Sequence, residues 1–396
     1  MTVKENLVNH RIISIDAFRG ITIFLMIFVN ELASIKNVPQ WLGHMPASVD
    51  GMTFVDVVFP AFLFIVGMSI PFAFNARLLR KDRPLAIWKH TLKRSIALIV
   101  MGVFMVNAEY GHDGSKMLIS TALWGFLAYT MPIPIWNKYS KSFSKTAKVI
   151  LQYGAMLILV GLYFLYIQES GNVGMTPKWW GILGLIGWAY LISVIVYWMA
   201  NGRLTVIILF FLICVLANCF NHIEDSLIRD FGWLKFMSGH LTHATLVSAG
   251  IIISLLFFEG KVTRKSHLMI IGFGLLFFLL GYVLRPYFEV SKIRGTPSWT
   301  LYSAAICTAV FYLLYWVMEQ RKIVKWANFF MPAAANPLLI YILPGIIYYF
   351  NLTFGIEILP DYFTDGIPGI IWALIFSVIM LYTVKIANKI NIRLHL

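Results

Sequence analysis

The chain is cut into apolar runs of membrane-crossing length by short polar connections, and this pattern limits its fold more than any motif it contains. A bilayer hydrocarbon core of about 30 Å takes about 20 apolar residues as a helix. A segment inside it has no water to satisfy free backbone groups, so it must be helical or part of a closed barrel. Runs of that length lie near residues 15–35, 53–76, 92–109, 119–137, 148–167, 179–199, 203–220, 241–258, 267–285, 299–318, 328–350 and 366–387. They predict an all-α polytopic membrane protein with about 12 transmembrane helices. A composition of 59% hydrophobic and only 13% charged residues excludes an ordinary soluble domain. The fourth and eleventh runs contain prolines, which membrane helices tolerate when neighbours satisfy the freed carbonyls.

Orientation follows from the basic residues. On the non-cytoplasmic side fall Lys36, Lys116, Lys178, Arg229, Lys235, Arg285, Lys292 and Arg294; Arg19 lies inside the first span, and the rest of the 32 lysines and arginines fall on the other side. The positive-inside rule then predicts that both termini are cytoplasmic. The densest cluster, from Arg77 through Arg83 to Arg94, reads as a topology signal with contact to anionic membrane lipids, or as a landing site for a polyanionic cytosolic substrate. Although the net charge is +14, no basic stretch is interleaved with aromatics in a soluble module, so no nucleic-acid partner is expected. Cys214, Cys219 and Cys307 lie in or beside apolar runs and read as packing residues. The polar start and long first run predict no cleaved leader. The whole of 1–396 is expected to form a single integral-membrane domain, and residues near 221–240, with Glu224, Asp225, Arg229 and Asp230, could hold a short surface helix.

Charged and amide groups at span mouths are costly and mark where chemistry could sit. Asp16 and Arg19, three apart on one helix face, can pair. Asn30 needs hydrogen-bond partners at its depth and could hold a carbonyl or oxyanion. His44 stands in the loop after the first span, where an imidazole titrating near neutrality suits a base for an amine or hydroxyl. Asp50 follows and could orient it. Asp56, in the first turn of the second span, complements a helix N-terminus. Other outward groups are Asn107, His240 and His243 at the start of the eighth span, and Lys292, Arg294 and Trp299 before the tenth. Two histidines without a carboxylate or cysteine motif make a weak zinc site, so no metal is expected. Asn336, between Pro332 and Pro337, marks a broken helix of the kind that lines cavities. Phosphate-binding, hydrolase-elbow and dinucleotide motifs are absent from the sequence.

Two blocks carry a resemblance. Arg11-Ile-Ile-Ser-Ile-Asp-Ala-Phe-Arg-Gly20 through Asn30, and Asp50-Gly-Met-Thr-Phe-Val-Asp-Val-Val-Phe-Pro60 through Gly67, resemble successive core helices of the heparan-alpha-glucosaminide N-acetyltransferase family. Weaker echoes occur at 94–107, 181–190, 295–302 and 335–341. The spans within 118–168 look like a hairpin inserted in that family's core. The resemblance implies a transmembrane acyltransferase that takes an acetyl group from cytosolic acetyl-CoA and delivers it to an amino-sugar or glycan acceptor on the far side. It implies a catalytic role for His44, with Asn30 on the acetyl carbonyl; the spacing of Asp50 adds a carboxylate expected beside the imidazole. Arg19, Asp16 and Asn336 are then expected on the cofactor side, and Asp56, Lys292, Trp299 and His240 on the acceptor side. A bacterial inner membrane is the expected location, and a homodimer is compatible. The alternative is a secondary transporter of amino sugars or muropeptide fragments. Against it, the central connection is only Ala200-Asn-Gly-Arg203 and the second half has no copy of the Asp-Ala-Phe-Arg-Gly block. A structural partner in a polysaccharide-export complex is a third reading.

Overall fold

The computed structural model describes residues 4, 7, 12–223, 232–357 and 359–394. Among them, β pairing is confined to isolated bridges, and the structure is helical: α1 (Ile13–Leu32), α2 (Val55–Leu79), α3 (Pro84–Glu109), α4 (Thr121–Thr130), α5 (Pro132–Trp136), α6 (Lys145–Leu165), α7 (Ile182–Met199), α8 (Leu204–His222), α9 (Gly232–Phe258), α10 (Arg264–Phe288), α11 (Pro297–Tyr315), α12 (Met331–Ala335), α13 (Pro337–Phe354) and α14 (Gly366–Lys389). Among the described residues, eleven helices are long and apolar enough to cross a membrane. This is an all-α polytopic membrane protein.

The fourth run differs from its expected single helix. It forms α4 and α5, of 10 and 5 residues, because Pro132 has no N–H to continue the ladder and opens a new helix instead. The eleventh is also divided: Asn336 leaves the helical region (φ −142°, ψ 59°) between α12 and α13, where Pro337 starts afresh. The surface helix expected around Glu224, Asp225, Arg229 and Asp230 lies outside the described residues.

The helices fall into two interleaved units. The first comprises Met1–Thr22, Val38–Leu92 and Trp188–Phe329; the second comprises Ile23–Asn37, Lys93–Gly187 and Phe330–Leu396. In the first unit α9 is the central element and is almost wholly buried over its membrane-crossing length. It packs on α2, α8 and α11. Its approach to α2 depends on two glycines. A Cβ on Gly67 would stand 1.9 Å from the Val247 carbonyl oxygen, and one on Gly250 would stand 2.0 Å from that of Phe64. Small residues let helix backbones meet this closely in a membrane, where dispersion and interhelical hydrogen bonds replace the hydrophobic effect. Ser254 adds such a bond, its hydroxyl donating to the Met68 carbonyl at 2.8 Å. Gly67→Ala or Gly250→Ala is expected to destabilise the protein by about 1–3 kcal/mol through overpacking against backbone, read as a lowered thermal midpoint in detergent.

In the second unit α4 lies against α13 and α6. Trp124 of α4 is buried and donates its indole N–H to the Leu162 carbonyl of α6 at 2.8 Å. The broken helix is held by Asn336, whose amide donates to Asn388 Oδ1 (3.0 Å) and the Ile392 carbonyl (2.9 Å) while its Oδ1 accepts from the Leu394 N–H (3.2 Å).

Candidate functional site

The first unit gathers a polar cluster at the start of α2. The loop from Val38 to Phe54 returns to the helix through Thr53, whose hydroxyl donates to the Gly43 carbonyl at 2.8 Å. One turn on, the Asp56 carboxylate reaches back and accepts from the Thr53 N–H at 3.0 Å and the Met45 N–H at 3.3 Å. Its other oxygen lies 2.7 Å from His44 Nδ1. The Asp56 side chain is 0% exposed and that of His44 39% exposed. A buried carboxylate is tolerated only when its oxygens are supplied with donors, and this one is. Trp299, at the start of α11 and 1% exposed, closes the cluster from behind and donates its indole N–H to the Asp56 carbonyl at 3.0 Å.

The tautomer of His44 follows from its partner. A carboxylate can only accept, so the proton sits on Nδ1 and the Nε2 lone pair is left for chemistry. Lys292 lies beside the ring, with Nζ 3.0 Å from Nε2 and 3.4 Å from Nδ1. Burial disfavours the Lys292 ammonium and lowers its pKa from the ordinary lysine value, and the Asp56 charge opposes that only in part.

The carboxylate on His44 is therefore Asp56, while Asp50 is turned elsewhere. Asp50 accepts from Arg285 Nε at 3.0 Å and from the Val290 N–H at 2.8 Å, pinning the connection that precedes Lys292. His240 is buried between Trp188 and Phe236, and His243 packs its ring on Phe59. These contacts place both histidines in aromatic packing of the first unit. Asp16 and Arg19 do pair, at 3.0 Å, and Arg19 also donates to the Ser69 hydroxyl at 2.8 Å. Ser69 is thirteen residues beyond Asp56 on α2, about 20 Å along the axis.

Asn30, Asn107 and Asn336 belong to the second unit. Asn30 is exposed, and its neighbour Glu31 accepts from the Trp372 indole N–H at 2.9 Å. Asn107 donates to the carbonyls of Val103 (2.8 Å) and Thr176 (2.9 Å). Asn336 uses its polar atoms on the C-terminal segment, so its amide stabilises the helix break and is not free to meet a cosubstrate. Sequence reasoning missed Thr53 and undervalued Asp56. The signal available was their i, i+3 spacing, which lets a first-turn carboxylate fold back on the preceding N–H.

Residues 11–230, more than half of the 396-residue chain, match the family described as a domain of unknown function, DUF5009. A stretch of 100 residues is 36% identical to the heparan-alpha-glucosaminide N-acetyltransferase of Homo sapiens, covering 25% of this chain and 14% of that protein. The protein of the same name from Mus musculus is 35% identical over 101 residues, or 26% of this chain and 15% of that protein. The chain thus spans only 14% and 15% of the length of these two curated relatives in the matched stretch.

Proposed function

We infer that this chain, which belongs to the DUF5009 family, is a multi-pass acyltransferase that moves an acetyl group from cytosolic acetyl-CoA to an amino sugar on the opposite side of a bacterial inner membrane. The observation that carries the reading is the Asp56–His44 pair, with Nδ1 held at 2.7 Å by a fully buried carboxylate. A base oriented in this way can accept a proton at Nε2 without turning, and Asp56 stabilises the imidazolium that results. The similarity to two N-acetyltransferases supports the reaction class. The distribution of basic residues supports cytoplasmic termini and an outward-facing His44 loop.

In this reaction the acceptor nitrogen attacks the thioester carbonyl carbon. Its proton passes to His44 Nε2, the carbon–sulfur bond breaks, and the CoA thiolate takes a proton as it leaves. Trp299 keeps water from the back of the pair, and Asp50 with Arg285 holds the connection that carries Lys292. The phosphates of CoA are strongly anionic and fit the exposed Arg80, Lys81, Arg83 and Lys89 that follow α2 and open α3. Arg19 lies on the same unit between that rim and Asp56, at a separation that an extended pantetheine arm can cover.

The test is incubation of purified protein with isotopically labelled acetyl-CoA and a mixture of amino sugars, followed by mass spectrometry. An acceptor that gains one labelled acetyl group is the expected result. Absence of transfer to any amine, together with uptake of labelled sugar by vesicles lacking acetyl-CoA, would overturn the assignment in favour of transport.

A further inference from the structure

The candidate base already faces an amine of this chain. For a base to take a proton from an attacking nitrogen, the two must lie about 2.6–3.2 Å apart. Lys292 Nζ is 3.0 Å from His44 Nε2. We propose that Lys292 is an internal acceptor, acetylated on Nζ by the chain's own site when no external amine is present, and that the modified enzyme is blocked. The proposal rests on the acetyl-transfer reading above.

Three observations support it. First, the backbone that carries the amine is held in place. Lys292 sits in a turn whose Ser291 N–H donates to Thr296 Oγ1 at 3.0 Å, whose Thr296 N–H donates to the Ser291 carbonyl at 3.1 Å, and whose Gly295 N–H donates to the Lys292 carbonyl at 3.0 Å. Gly295 closes it at φ +67°, a conformation that favours glycine. Second, burial raises the fraction of Lys292 present as the neutral amine, the form that attacks a thioester. Third, desolvation alone does not single out a lysine here. Lys178 is shifted down for the same reason, but it donates to the Tyr110 carbonyl, which cannot take its proton. Among the described residues, it is the Lys292 amine that lies beside the imidazole held by Asp56.

The step balances. The Nζ lone pair attacks the thioester carbonyl, a carbon–nitrogen bond forms and the carbon–sulfur bond breaks. The Nζ proton goes to His44 Nε2 and then to the departing CoA thiolate, leaving an acetamide and free CoA. An acetamide on Lys292 is neutral, bulkier and stable. It would stand beside Nε2 and exclude the acceptor, so catalysis would arrest itself when acetyl-CoA accumulates without amino sugar.

The experiment incubates full-length protein in detergent with carbon-13-labelled acetyl-CoA and no acceptor, and maps the label by peptide mass spectrometry; a parallel reaction contains glucosamine. The expected result is label on Lys292 and none on Lys178 at the same time point. The labelling rate should rise with pH and reach half its maximum below the ordinary lysine value of about 10.4. In His44→Ala it should be about 10²–10⁴-fold slower. Acetylated glucosamine with unmodified Lys292 overturns this inference and leaves the acyltransferase reading standing. Equal labelling of Lys178, or labelling that persists in His44→Ala, also overturns it. Failure of both glucosamine and Lys292 to take label overturns both.

Discussion

His44→Ala is expected to reduce acetyl transfer from acetyl-CoA to an amino sugar by about 10²–10⁴-fold, the range associated with losing a general base. The protein should still fold. The His44 side chain is 39% exposed, and the loop that carries it keeps its Thr53–Gly43 hydrogen bond without the imidazole. One cost accompanies the loss of rate, since Asp56 gives up one of its donors. It retains the Thr53 and Met45 N–H groups, which limits that cost to about 1–3 kcal/mol. The measurement pairs initial rates with a thermal midpoint on the same sample. Turnover near that of the unmodified protein would sink the assignment of His44, whatever happens to the midpoint.

Asp56→Asn is expected to lower kcat by a similar factor, about 10²–10⁴-fold, for a different reason. Among the described residues, each group that meets the Asp56 carboxylate is a donor: the N–H of Thr53 and of Met45, the Thr53 hydroxyl and His44 Nδ1. An amide in that place offers one acceptor and one donor. If its oxygen takes the backbone N–H groups, its NH₂ is turned to His44 and can be satisfied only by an unprotonated Nδ1. The proton then moves to Nε2, and the atom that faced the reaction is no longer basic. The readout that separates this from simple damage is the imidazole tautomer, seen by nitrogen NMR of labelled His44. It should switch in Asp56→Asn, whereas a merely structural role leaves it unchanged. A KM that stays within a few-fold while kcat falls supports the same conclusion.

The helical framework was readable from the apolar runs because in a bilayer length and hydropathy nearly determine a helix. Where the reading failed, proline chemistry intervened. Pro132 divided a run whose hydropathy was uninterrupted. The break at Asn336 was legible from its flanking prolines, and contacts to Asn388, Ile392 and Leu394, more than fifty residues away, stabilise it. The site was partly legible. His44 and Asp56 lie twelve residues apart in a block that resembled a known family, so both were flagged, but local spacing suggested that Asp50 would serve the imidazole. What moved that role to Asp56 was the fold: Asp50 is drawn off by Arg285 and the Val290 N–H. The juxtaposition of Lys292 with His44 bridges 248 residues of sequence. No periodicity or motif encodes such a contact, because it is created by α10 and α11 closing on α2.

That long bridge has a consequence for biogenesis. The stretch matched by the family, residues 11–230, ends before Arg285, Lys292 and Trp299 have been made. A nascent chain arrested there already carries the imidazole and its carboxylate, yet has neither the indole that seals them from behind nor the clamp that fixes the neighbouring turn. On the proposed acetyl-transfer reading, competence would therefore come late, when the helices after the central connection have been inserted. Ribosome-arrested chains of increasing length should gain it in one step rather than by degrees.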